Sequence, residues 1–183
     1  MMINNSKISI GLAQLSKPYY GAFNKKKKSI QIGNFKKILK LAIKEKIEFL
    51  DTSLNYKSVD DQINKNSVNL KNFKIITKVN IPLKFNKFNE NRIEKKLIAS
   101  LKKLKKKSFY GILIHNCKDI KNKKLIFKIK KFLEILKKKG LCDNYGLSLY
   151  SIKDYKRFER IINPKIIQAN VNYFDREFLL NID

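Results

Sequence analysis

A chain of 183 residues with 43% hydrophobic content is long enough for one domain with a sizeable core, and its recurring apolar runs exclude a disordered chain. A formal net charge of +27 points first to nucleic acid. Arg, however, stands only at Arg92, Arg157, Arg160 and Arg176, and the remaining positive charge is Lys spread over almost every expected helix, which argues against a specific nucleic-acid role and leaves only non-specific, charge-driven binding open.

Lys7 to Leu15 reads as a first strand, followed by a loop through Pro18, Gly21 and the Lys25–Lys28 run. Asn34 is placed to cap a helix whose apolar positions are Ile38, Leu39, Leu41, Ala42 and Ile43. A strand over 47–53 follows, then a short helix from Val59 to Ile63 and a strand from Phe73 to Val79. Beyond Pro82 a long helix is expected from about Glu90 to Lys107, then the buried strand Tyr110 to His115. A second long helix, Lys124 to Lys139, stops at Gly140, where glycine suits the C-terminal turn. The strand Tyr145 to Tyr150, the helix Ile152 to Ile162 and the strand Lys165 to Val171 complete the pattern.

Strand and helix alternate throughout, the signature of βαβ units around a parallel sheet. Gly11 stands alone after the first strand, without a G-x-G-x-x-G or P-loop fingerprint. The fold class expected is therefore α/β of the (β/α)8 TIM-barrel type, incomplete, with six of eight βα units in a single domain over 1–183. Cys117 and Cys142 are too few and too far apart for a disulfide framework or a metal pair, and read as reduced thiols. The N-terminus lacks the apolar core of a signal peptide, and no run approaches the ~20 residues that span a bilayer. A soluble, cytoplasmic protein without a membrane partner is expected.

Polar groups cluster at strand ends. The second strand ends at Asp51, with Tyr56 in its loop; the third ends at Lys78 and the fourth at His115. In a parallel barrel these ends share one face, so the four side chains can converge on one mouth. Each alone has a bland reading: a helix cap, a rim tyrosine, an internal ion pair, a satisfied core histidine. Together they permit specific chemistry. A phenol with a pKa near ~10 is a poor acid at neutral pH unless a cation stabilises its phenolate. Lys78 supplies a cation, Asp51 holds it, and His115 can hydrogen-bond the oxygen that Tyr56 protonates. That set handles a carbonyl oxygen as it becomes an alcohol. The hydride such a change needs implies a nicotinamide cofactor.

These residues resemble the aldo-keto reductase family, in particular its bacterial branch. Asp51-Thr52-Ser53-Leu54-Asn55-Tyr56 is similar to that family's D-T-A-x-x-Y, Thr77-Lys78 to its T-K and Leu113-Ile114-His115 to its L-x-H. The resemblance implies Tyr56 as acid, Lys78 and Asp51 as its tuning pair and His115 as the carbonyl orienter. Gly146-Leu147-Ser148 resembles the family's G-V-S, which with Gln168 implies that Ser148 and Gln168 hold a nicotinamide carboxamide. Asn172 to Arg176, Leu12 to Leu15, and Tyr20-Gly21 with Asn24 extend the likeness. Lys57, Asp60, Asn64 and Leu149 depart from the family's usual Gly, Glu, Gly and Asn. The resemblance implies an NADP- or NAD-dependent reduction of a small-molecule aldehyde, ketone or sugar-like carbonyl. The expected length is that of a fragment, lacking two βα units whose loops grip the cofactor's pyrophosphate and adenosine. The alternative is a truncated, catalytically inactive remnant or a basic binding protein.

Overall fold

The computed structural model describes residues 8–16 and 31–182. Six strands, β1 (Ser9–Gly11), β2 (Phe49–Asp51), β3 (Lys74–Val79), β4 (Phe109–Ile114), β5 (Cys142–Leu149) and β6 (Ile166–Ala169), form one sheet in chain order. Every pairing is parallel. Helices alternate with them: α1 (Ala13–Ser16), α2 (Ile32–Lys44), α3 (Val59–Lys65), α4 (Glu90–Leu104), α5 (Lys123–Lys138) and α6 (Ile152–Ile162), with α7 (Glu177–Asn181) after β6. The sheet curls, so that a side chain of β6 reaches one of β2 (Gln168 to Asp51, 3.2 Å). The architecture is an incomplete (β/α)8 barrel.

The helices form where polar caps meet apolar stripes. Asn89, Asn122 and Ser151 each accept a hydrogen bond from a backbone N–H of the first turn of α4, α5 and α6, satisfying donors the helix leaves open. On α5 the residues Leu125, Ile129, Phe132 and Leu136 fall on one face and are buried, each contributing about 2 kcal/mol of apolar burial. Gly140 takes a positive φ of 69° after α5, as its position suggests.

One glycine governs how closely two strands approach. Gly146 of β5 lies opposite Ile166 of β6, and a Cβ there would stand 1.8 Å from the Ile166 carbonyl oxygen. Only glycine lets β6 lie this close, and β6 carries Gln168.

Several expectations need correction. The first strand stops at Gly11, and Ala13 to Ser16 is a helical turn that buries Leu12 and Leu15, three residues apart. Helix α2 starts at Ile32 with Gln31 as its cap residue, so Asn34 lies inside the helix. Its core face is Phe35, Leu39 and Ala42, while Ile38, Leu41 and Ile43 are exposed. Helix α4 ends at Leu104, where Lys105 turns the chain at φ 53°. The short α7 is not signalled by any cap or periodicity. Lys7 and the expected loop with Pro18, Tyr20, Gly21, Asn24 and the lysine run lie outside the described residues.

Candidate active site

The ladder between neighbouring strands carries the site. After β2 ends, the Thr52 N–H donates to the Ile76 carbonyl (2.8 Å) and the Leu54 N–H to the Lys78 carbonyl (3.0 Å). The chain therefore stays laced to β3 for three more residues. Asp51 lies opposite Ile76, and side chains two apart on a strand share a face, so Asp51 and Lys78 both point inward. The Lys78 ammonium donates to both carboxylate oxygens, at 2.5 and 2.6 Å. Lys78 is 4% exposed. Taking two charges out of water costs several kcal/mol per ion before their attraction offsets it, so such a pair is weak evidence for stability and a reason to look for chemistry.

Tyr56 stands in the loop from β2 to α3, its N–H donating to the Ser53 carbonyl at 2.9 Å, with the Lys78 ammonium 5.9 Å from its ring centre. His115 is the first residue past β4, and its N–H donates to the Val79 carbonyl (2.9 Å), extending the ladder by one step. Its Nδ1 lies 3.3 Å from Ser53 Oγ and 3.5 Å from Asn55 Nδ2. The Asn116 side chain pairs with both backbone groups of Ile81 at 2.9 Å, as a further strand residue would, binding the loop after β4 to the loop after β3.

All six residues singled out from the sequence line one cleft of about 150 Å³: Asp51, Tyr56, Lys78, His115, Ser148 and Gln168. Gln168 Nε2 donates to Asp51 Oδ2 at 3.2 Å, and its Oε1 is buried without a hydrogen-bond partner among the described residues. Leu149 lines the cleft beside Ser148 and is buried. Ser53, Asn55 and Asn116 escape a reading of strand ends; their signal is a run of small polar residues just past Asp51 and His115. A larger cleft of about 460 Å³ lies at the other end of the strands, between the turns leading into β3 and β4, and is lined by backbone turns and lysines. Burial pushes the Cys117 thiol up to about 12 and that of Cys142 to about 11, so neither supplies a thiolate nucleophile at neutral pH.

The sequence model of the Aldo/keto reductase family matches residues 7–179. The chain belongs to that family. Among solved structures, a Pseudomonas aeruginosa protein assigned to the aldo-keto reductases superposes with a TM-score of 0.71 at 18% identity, covering 92% of this chain and 64% of its own. The glycerol dehydrogenase of Gluconobacter oxydans gives 0.67 at 18% identity, with 95% and 54% coverage. An aldo-keto reductase from Klebsiella pneumoniae in complex with NADPH gives 0.60 at 15% identity, with 83% and 48% coverage. The chain thus spans between about half and two thirds of the length of these structures. No curated protein sequence matches it. Where the family pattern has Gly after the tyrosine, this chain has Lys57, and the next residue, Ser58, takes a positive φ of 64°. Helix α3 runs through Asn64 to Lys65, so the residue that stands where the family pattern has Gly is helical here.

Proposed function

We propose that this chain is the catalytic part of an NAD(P)H-dependent oxidoreductase that reduces an aldehyde, ketone or sugar-like carbonyl to an alcohol. The observation that carries the reading is the convergence of Asp51, Tyr56, Lys78 and His115 on one cleft. In it, His115 and Tyr56 hold the substrate's carbonyl oxygen. As negative charge develops on that oxygen, the Tyr56 O–H transfers its proton to it and leaves a phenolate. The Lys78 ammonium stabilises that phenolate, and the Asp51 carboxylate keeps the ammonium in place through its two-oxygen grip.

A bound nicotinamide cofactor supplies the hydride that the carbonyl carbon receives. The residues present fit its carboxamide: Gln168 Oε1 is a buried acceptor lacking a donor among the described residues, and Ser148 lines the same cleft. The NADPH in the Klebsiella pneumoniae enzyme and the alcohol chemistry in the name of the Gluconobacter oxydans enzyme support the assignment. The reading treats 1–183 as one barrel-type domain working in the cytoplasm. The test follows NADPH absorbance with the full chain and a panel of small aldehydes and ketones. Tyr56→Phe is expected to lower turnover about 10²- to 10⁴-fold with cofactor binding unchanged. A Tyr56→Phe chain as fast as its parent overturns the acid assignment.

A further inference from the structure

We propose that Arg157 is a positioning residue: it fixes the His115 wall of the cleft relative to the Ser148 to Tyr150 wall. Its catalytic consequence rests on the reductase reading; the contacts stand without it. The turn after β4 begins at His115, which lines the cleft, and winds through one 3₁₀ turn, Cys117–Asp119. Two carbonyls of this turn share one guanidinium. Arg157 Nη1 donates to the Ile120 carbonyl at 3.1 Å and to the Cys117 carbonyl at 3.3 Å, while Nη2 donates to Asp154 Oδ1 at 2.8 Å. Asp154 stands three residues earlier on α6, on the same face, and is 5% exposed. Its Oδ2 accepts from the Ser151 hydroxyl at 3.1 Å, and Ser151 directly follows Tyr150, another lining residue of the cleft. An unbroken set of bonds thus runs from one wall of the cleft to the other through Arg157.

The choice of arginine is informative. Neutralising the buried Asp154 carboxylate needs only a cation, and Lys121 already stands 3.9 Å from the same oxygen. Holding two carbonyls and a carboxylate in one fixed arrangement needs a planar fork of several N–H groups, which a guanidinium has and an ammonium lacks. A second contact spans the same gap, because Lys118 of the turn has its ammonium 5.4 Å from the Tyr150 ring centre. On its other side the turn is tied by Asn116 to both backbone groups of Ile81 at 2.9 Å. The turn that starts at His115 is therefore gripped from the β3 side by Asn116 and from the β5 side by Arg157. A side chain that never touches substrate governs rate in this way, since a displacement of about 1 Å at the reacting groups costs up to roughly 10²-fold.

Arg157→Lys separates the two roles, keeping a cation for Asp154 while removing the fork. The sequence has a single histidine, so ¹⁵N-histidine labelling of the full chain reports the turn at His115 directly. In Arg157→Lys the His115 ring signals are expected to broaden or split, as the turn samples more than one position. With an aldehyde that the parent reduces, kcat is expected to fall about 10- to 10²-fold, with KM for NADPH unchanged. Lys130→Met is the control for general loosening. Lys130 bonds the Ile162 carbonyl of α6 at 3.0 Å and the Tyr145 hydroxyl at 2.7 Å, neither of which belongs to the turn. Its loss is expected to lower Tm and to leave the His115 signals and kcat at parent values. Should Arg157→Lys fail to fold, Asp154→Leu with Arg157→Met, which leaves no buried charge, makes the same comparison. Parent-like His115 signals or a parent-like kcat in Arg157→Lys overturn the proposal, and so does an equal disturbance by Lys130→Met. If the parent consumes no NADPH, the His115 signals decide alone: a change confined to the Arg157 variants upholds the positioning and removes the reductase reading instead.

Discussion

A lysine ammonium that is almost fully removed from water depends on its carboxylate. Lys78 has a side chain only 5% exposed and Asp51 one 17% exposed, and both carboxylate oxygens accept from the one ammonium. Removing one partner strands the other charge in the barrel interior. Lys78→Met is therefore expected to cost about 3 kcal/mol or more of stability, a fall of roughly 10 °C in Tm for a chain of this size. Asp51→Leu combined with Lys78→Met removes both charges and is expected to cost less than Lys78→Met alone, because no buried charge remains. Thermal unfolding of the two single variants and the double variant measures this as a coupling energy. A double variant as unstable as the sum of the singles would mean that the pair is not coupled. Asp51, Lys78 and His115 were legible in the sequence because each stands at or beside a strand's C-terminal end: Asp51 is the last residue of β2, Lys78 the last but one of β3 and His115 the first past β4. The neighbours that hold them were not. Ser53, Asn55 and Asn116 act across 35 to 62 residues of chain, and no local period or cap encodes such contacts.

Among the elements, α3 shows how burial and titration meet. Asp60 lies in its first turn, and burial raises its pKa above the ordinary value of 3.8, against the opposing pull of Lys103 on α4. The folded state therefore binds this proton more tightly than the unfolded chain does. Its stabilising contribution is complete below the unfolded value and is lost as pH rises through the higher folded one. Asp60→Asn, which keeps the side chain neutral, is expected to be more stable than the parent at neutral pH, with the gap closing as pH falls toward 3.8. Denaturant midpoints measured on both chains across that window check it; a gap that widens in acid reverses the sign and refutes it. The order and type of the longer elements were legible for a plain reason. Apolar spacing and Gly140 at the end of α5 act locally and were read; the caps Asn89, Asn122 and Ser151 are equally local signals that the reading did not use. Leu12 to Leu15 misled because Leu12, Ala13 and Leu15 suit an apolar strand as well as a helical turn, and packing decided between them. The face of α2 misled because an isoleucine-rich composition scatters apolar residues onto solvent, where Ile38 and Ile43 stand.

At the scale of the whole molecule two forces oppose each other. Among the described residues β1 and β6 each pair on one side only, and an unpaired strand edge is a template for another chain. Apolar side chains after β6 add to it: Phe174 is 96% exposed and Leu180 78%. Against association stands a net charge of +27, which makes copies of the chain repel one another. Salt decides the balance. At an ionic strength of about 0.01 M the screening length is roughly 30 Å, comparable to the molecule, whereas at about 0.15 M it is roughly 8 Å and the repulsion is confined to near contact. The chain is therefore expected to be monomeric at low salt and to self-associate as salt is raised, with sedimentation velocity across that range as the measurement. Binding to a polyanion has the opposite salt dependence, weakening as salt rises, so one titration separates edge-driven association from charge-driven capture of nucleic acid. A monodisperse monomer at every salt concentration would mean that the edges are protected by the chain itself.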